Sequence, residues 1–325
     1  MNDFPEHSDL GENILYADDD TENVSDRDPV RLQEKLQLQA DSSVQWIRDN
    51  KMLCSGGKTK LLVIGTRGLK TSKLGNRVLK VKVGDIEVEE TSDEKLLGIL
   101  MSNNLSWNSY LYGNKLQGKD KVSGLVPKLS QRVGMLSRLN NYMTRDQFKL
   151  TCEGVFTSCL LYCLPLFSNV WGLPSMDDST GRSQAFNAED CRKLQVLQNK
   201  VLRLKTKNYD INVPTNTLLD ATGDLSVHQL GAYHTVVTAH RIIRTQTPQY
   251  LADKLALRKP TPCLARQLNT ISVNCDLTIS RSGFLYRAAR LWNLLTPAMR
   301  NETKPEAFKT TVRKWIRENI QRKPP

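Results

Sequence analysis

The sequence predicts an α+β fold, predominantly helical, and three observations carry that reading. Strand-like alternation is confined to roughly the first third of the 325 residues. Apolar stripes at helical spacing run from about residue 115 to the end. Apolar residues make up 39% and aromatic residues only 6%, so the core is aliphatic, and 25% charged residues exclude both a membrane-embedded and a wholly disordered chain.

The elements follow in chain order. Asn13-Ile14-Leu15-Tyr16 reads as a short strand running into Ala17-Asp18-Asp19-Asp20, with a polar return expected to fray. Asp28-Pro29 reads as an N-cap with proline at the first helical position, and Leu32, Leu36, Ala40, Val44 and Ile47 give an amphipathic helix over residues 29–49. Residues 60–65 read as a buried strand. Leu79, Val81 and Val83 alternate into the tight turn Gly84-Asp85, and Ile86 and Val88 alternate out of it.

The helical part opens with Val122, Leu125, Val126, Leu129, Val133, Leu136 and Leu139 on one stripe, where Pro127 either kinks the helix or starts its main part. Thr144 and Gln147 fit a capping box for a helix that buries Phe148, Cys152, Val155, Phe156, Cys159 and Cys163 and is bounded by Pro165. A polar loop over residues 168–188 precedes a helix with Leu194, Leu197, Val201 and Leu204. Residues 213–255 read as helical with breaks at Gly223 and Gly231, and Pro260-Thr261-Pro262 marks another break. Residues 284–295 and a helix from Pro305, burying Phe308, Val312, Trp315 and Ile316, close the sequence.

Charge is unevenly spread around a net +12. Residues 1–50 hold 13 acidic and 4 basic side chains, a balance of −9, while the remainder holds 42 basic against 21 acidic, a balance of +21. A basic body suits a polyanionic partner and an acidic start suits a cation site or a loose tail; solubility alone also accounts for both. No secretory or membrane-spanning segment is expected: the first ten residues are polar, and the apolar run over residues 155–167 is broken by Thr157, Ser158 and Pro165. The 7 cysteines are odd in number, scattered and without a CxxC pair, as expected of reduced thiols in an intracellular protein, nuclear or cytoplasmic.

Tyr16-Ala17-Asp18-Asp19 carries the most chemistry. Adjacent carboxylates at a tight turn place hard oxygens where Mg²⁺ can sit, and two such ions can activate a primer hydroxyl and stabilise the departing pyrophosphate. An acidic surface turn is the competing reading. The surrounding sequence resembles the reverse transcriptases of non-LTR retrotransposons of the jockey-like kind, through ordered segments beyond the hairpin. These are Trp46 to Asn50 with Lys58-Thr59-Lys60, Leu97-Gly98-Ile99-Leu100 with Leu105-Ser106-Trp107, and Leu129-Ser130-Gln131-Arg132 with Leu136-Ser137-Arg138-Leu139. Pro248-Gln249-Tyr250-Leu251, Leu291-Trp292-Asn293-Leu294 with Pro297, and Phe308-Lys309 extend the resemblance.

The resemblance implies a partial polymerase palm with its hairpin in residues 1–115, a helical thumb in 116–210 and a mostly helical C-terminal region in 211–325. It implies Asp18 and Asp19 as Mg²⁺ ligands, Tyr16 beneath the primer end, and Lys58 near the incoming triphosphate. Leu97 and Gly98 would grip the primer, and the partners are an RNA template with a DNA primer. For Lys58 a solvated lysine in a Gly-rich turn is the alternative.

The pattern departs from the family in two places. Asp20 adds a third carboxylate to the tip, and the fingers, upstream palm aspartate and nucleotide-selecting segment are expected to precede Tyr16, where only 15 residues stand. The isolated chain is therefore expected to be inactive as a polymerase, with an exposed apolar sheet edge.

Other patterns carry less. On a helix spanning residues 121–139, Lys121, Lys128 and Arg132 share one flank, either a phosphate-contacting ridge or a solvated face. Lys193, Lys200, Arg203, Lys205 and Lys207 form a second basic set. Ser55-Gly56-Gly57-Lys58-Thr59 is not a P-loop, because Met52 stands where its first glycine belongs. Cys152, Cys159 and Cys163 read as buried inert thiols, and His228, His234 and His240 as solvent or core residues.

Overall fold

The computed structural model describes residues 10–17, 19–54, 56–65, 68, 70–75, 78–115, 121–168, 187–258, 269–272 and 283–322. Asp18, Ser55, Cys263, Cys275, Pro260-Thr261-Pro262 and most of the loop expected over 168–188 lie outside them. The chain is mostly helical with small sheets, and it forms two compact units, Met1–Val122 and Ser123–Pro325.

The first unit starts with an antiparallel hairpin, β1 (Glu12–Tyr16) and β2 (Asp19–Asn23). The return strand is fully paired, from Tyr16 opposite Asp19 to Glu12 opposite Asn23, where fraying was expected. Helix α1 (Pro29–Asp49) begins as its sequence dictates: the Asp28 carboxylate accepts the Val30 N–H at 3.2 Å and Pro29 occupies the first turn. The strand expected over residues 60–65 shortens to β3 (Leu61–Leu62). It runs parallel to β5 (Ile86–Thr91), which pairs antiparallel with β4 (Lys80–Val83) across the Gly84-Asp85 turn. Val81 and Val88 face each other on the buried side. A second hairpin, β6 (Asp93–Leu96) and β7 (Ile99–Ser102), leads to the short helix α2 (Asn108–Tyr112) and to β8 (Gly113–Lys115), which pairs with β9 (Lys121–Ser123).

The open edge of β4 is covered, where an exposed apolar edge was expected. Gln33 and Gln37, one turn apart on α1, present their amides to the strand as a neighbouring backbone would. Gln37 accepts the Lys82 N–H at 2.9 Å and donates to the Lys82 carbonyl at 3.0 Å. Such covering removes the unpaired backbone groups that invite edge-to-edge association.

In the second unit α3 (Leu125–Leu139) buries Leu125, Leu129, Val133 and Leu136, and Pro127 sits in its first turn, where a missing N–H has no cost. The Thr144–Gln147 capping box opens α4 (Arg145–Cys152), which continues through a π turn (Glu153–Thr157) into α5 (Ser158–Leu161). Cys163, at φ 57°, then redirects the chain into α6 (Leu164–Phe167). By length and composition Arg145–Phe167 is one stretch able to cross a membrane. Phe148, Cys152, Phe156, Leu160, Leu164 and Phe167 are buried inside the unit, while Leu150, Tyr162 and Leu166 of the same stretch are exposed, and one such stretch does not by itself indicate a membrane.

The rest of the unit comprises α7 (Ala188–Thr206), α8 (Thr215–Thr222), α9 (Val227–Thr245), α10 (Gln249–Lys254), α11 (Phe284–Leu294), α12 (Pro297–Asn301) and α13 (Pro305–Asn319). Helix α9 is central and packs on α6, α7, α11 and α13, so described residues on both sides of position 210, from Ser123 onward, belong to one compact unit. Gly231 does not break α9. It admits the neighbouring Ser168, whose Cβ would lie 2.6 Å from any Cβ placed there. His240 stacks on Phe308 at 3.8 Å and hydrogen-bonds the Glu302 carbonyl, while Arg287, fully buried, holds the Pro165 and Leu166 carbonyls at 2.8 and 3.0 Å.

Candidate functional site

The β1–β2 hairpin closes on Tyr16 opposite Asp19, and Ala17 follows Tyr16 out of β1. Ala17 is left-handed at φ 57°, a conformation a non-glycine residue adopts at a cost and one that two-residue hairpins require. Strand alternation then sorts the side chains. Ile14, Tyr16 and Asp19 face outward, with Ile14 57% and Tyr16 66% exposed. Asn13, Leu15, Asp20 and Glu22 face the other way. The two described carboxylates of the tip, Asp19 and Asp20, therefore lie on opposite faces of the ribbon.

The inner face rests on α1. Gln39 donates to Asn13 Oδ1 at 3.1 Å and Ser43 Oγ donates to the Glu22 carboxylate. Burial pushes the Glu22 carboxyl up to about 7; the Ser43 hydrogen bond opposes this, and the nearby Asp20 carboxylate adds to it. Asp20, itself exposed, thus acts on the more buried Glu22.

The other expected site residues stand on separate elements. Lys58 ends a short 3₁₀ turn (Gly56–Lys58) and is exposed. Leu97 and Gly98 form the two-residue turn between β6 and β7, with φ of 47° and 88°. Helix α3 begins at Leu125, so Lys121 belongs to strand β9 and is not on a common helical flank with Lys128 and Arg132. Arg132 is half-buried and donates to the Val155 carbonyl in the π turn, where an irregular helix leaves an acceptor needing a donor.

The second basic set also divides. Lys205 is buried, 2.7 Å from Glu153 Oε1 and 3.1 Å from Asp224 Oδ2. Burial pulls its ammonium down, but the two carboxylates outweigh that and leave it above the usual lysine range. Arg203 donates to the carbonyls of Asp210, Ile211 and Val213. Burial pushes the Cys152 and Cys191 thiols up to about 11 and about 12, which makes them poor nucleophiles and poor metal ligands. Among the described residues no group of three or more His, Cys, Asp and Glu side chains could hold a metal ion.

No protein-family model matches the chain, and neither the curated proteins nor the solved structures include a match to it. Tyr142, Tyr209 and Ile211, outside every expected site, are exposed at one end of the second unit. Their signal was present: large apolar residues set singly among Asn, Asp and Lys, outside every helical stripe.

Proposed function

We propose that the chain is the C-terminal portion of an RNA-directed DNA polymerase of the non-LTR retrotransposon kind, which extends a primer 3′ hydroxyl along an RNA template. The exposed hairpin tip, with Tyr16 and Asp19 as its closing pair, is the observation that supports this reading most. In the whole enzyme Asp18 and Asp19 contribute ligands to Mg²⁺ and Tyr16 supports the primer end. Lys58 meets the triphosphate, Leu97 and Gly98 steady the primer, and Lys128 contacts the duplex.

Asp19 is an exposed hard-oxygen donor of the right kind, but the described residues give the tip's outer face this one aspartate. They do not by themselves fit a two-ion centre, and no chemical step is assigned to one. A second reading, in which the chain binds nucleic acid without catalysing its extension, rests on the +21 balance of residues 51–325.

Paramagnetic broadening by Mn²⁺ tests the tip directly. Resonances of Tyr16, Ala17 and Asp19 should broaden, and Asp18→Asn with Asp19→Asn should abolish the effect; an unbroadened tip removes the polymerase reading. Primer extension with Mg²⁺ tests the expected inactivity, since under either reading the 325 residues alone should give no product. Robust, Asp18-dependent synthesis would refute the expected inactivity.

A further inference from the structure

We propose that the end of the second unit where α3, α4 and α7 meet binds single-stranded nucleic acid, with Tyr142 and Tyr209 as base-stacking platforms. The proposal is independent of the polymerase reading, because the hairpin belongs to the other compact unit.

The topology gathers this surface from two chain segments. The turn between α3 and α4 carries Tyr142, and the segment after α7 carries Tyr209 and Ile211. Asn140 joins them, donating its side-chain N–H to the Tyr209 hydroxyl at 3.0 Å. Both α3 and α4 pack on α7, so the C-terminal ends of α3 and α7 lie beside the start of α4. Tyr142 is 86%, Tyr209 60% and Ile211 83% exposed. One exposed apolar side chain is ordinary. Three on two linked segments form a patch that a polar surface does not account for.

The display is built rather than incidental. Lys207 ends α7 in the left-handed region, and Arg203 ties the following segment down through three of its carbonyls. The Asn208 side chain accepts the Asp210 N–H at 3.1 Å, and the Asp210 carboxylate accepts the Asn212 N–H at 2.9 Å. Val213 packs on the buried Leu202, Leu218 and Leu219 and anchors the far end. Tyr209 and Ile211 project from a segment fixed at both ends, so a ligand meets them with little left to order.

Charge selects the occupant. Arg138, Arg145 and Lys207 are exposed on the same three helix ends. Two described carboxylates there, Asp146 and Asp210, keep their charge, but Lys149, 3.8 Å from Asp146, adds a fourth cation, so the cations outnumber them four to two. A cationic surface repels a second copy of itself and attracts a polyanion. Arg138 and Lys207 also offset the macrodipoles of the helices they end, but that role leaves the tyrosines unexplained. Aromatic rings beside such cations suit a strand whose bases are free to stack; the bases of a duplex keep their faces covered.

The test uses the full chain and a fluorescein-labelled oligo(dT) or oligo(U) of roughly 16 nucleotides, followed by anisotropy across a salt series. Tyr142→Ala should weaken binding about tenfold and Tyr142→Phe should restore it, because the ring and not the hydroxyl stacks. Tyr142 is far enough into solvent that its truncation leaves the fold intact. Tyr209→Phe, which removes only the contact with Asn140, controls for loosening of the segment and should bind nearly as wild type. Arg145→Glu should flatten the salt slope by about 0.7. The proposal is overturned by absence of binding, by binding unchanged in the Tyr142→Ala, Tyr209→Ala double variant, or by preference for duplex. Self-association that the same alanines relieve would assign the patch to a second copy and overturn it equally.

Discussion

Gln33 on α1 accepts the backbone N–H of Lys80 at 3.1 Å, and its amide nitrogen donates to the carbonyl of that same residue. A side-chain amide stands here in the place of a strand, and Gln37 repeats the arrangement at Lys82 one turn on. The pair is a helical i, i+4 spacing matched to an i, i+2 spacing along a strand.

The first prediction follows from that match. Gln33→Leu with Gln37→Leu should reopen the β4 edge and destabilise the first unit by about 1 kcal/mol per lost amide. The sharper effect should be association. Sedimentation should show concentration-dependent oligomers in the double variant and not in the wild type, whereas a variant that stays monomeric would show that the amides are dispensable as a cover.

Leu97 offers a test of strain. It occupies the first position of a turn whose two residues both take positive φ, a place suited to asparagine. Leu97→Asn should therefore raise the stability of the first unit by about 1 kcal/mol in urea unfolding. If leucine is retained there to steady a primer, the same change should weaken binding of an RNA–DNA hybrid. A gain in stability with unchanged binding would leave the polymerase reading without this contact.

The two units should respond to pH with opposite signs. Glu22 has its carboxyl raised from 4.5 to about 7, so the folded hairpin holds a proton that the unfolded chain releases. Its contribution is fully present below pH 4.5 and is lost as pH rises toward 7. His228 behaves in reverse. Burial lowers its imidazole from 6.5 to about 4, and it stays neutral while donating to the Gln321 carbonyl. The unfolded chain binds the proton first, so the second unit loses stability as pH falls from 6.5 to about 4. Urea unfolding followed by resonances of each unit should give a falling and a rising profile. Glu22→Gln should flatten only the first.

Lys205 should be among the costliest side chains to remove. Lys205→Ala leaves Glu153 and Asp224 facing an empty pocket, and the loss should be about 2–3 kcal/mol, below that of a fully buried pair because Glu153 is half exposed. Thermal unfolding of the single variant and of Lys205→Met with Glu153→Gln would separate lost packing from lost charge. Equal losses in the two would remove the electrostatic account.

What was legible in the sequence was local. Asp28-Pro29, Thr144 with Gln147, and Gly84-Asp85 each encode their element within four residues, and each forms as read. The misreadings involve partners far along the chain. Val122 fits the apolar stripe of α3, yet it pairs in β9 because β8 offers a neighbour. Gly231 looks like a break until Ser168 is placed against it. Lys205 was grouped with surface cations, although it lies four residues after Val201 and so on the buried stripe. Of the candidate site, the strand into the acidic turn was readable, and the Tyr16–Asp19 closing pair was not. The inward turn of Glu22 was not, because it depends on which face α1 covers.

Opposite placement of Asp19 and Asp20 makes the tip sensitive to parity. Adding one residue to β2 would exchange the faces that Asp19 and Asp20 occupy, and adding two would restore the original sides while lengthening the arm. Grafts or insertions near this tip should be tolerated in even steps and scramble the ribbon in odd ones.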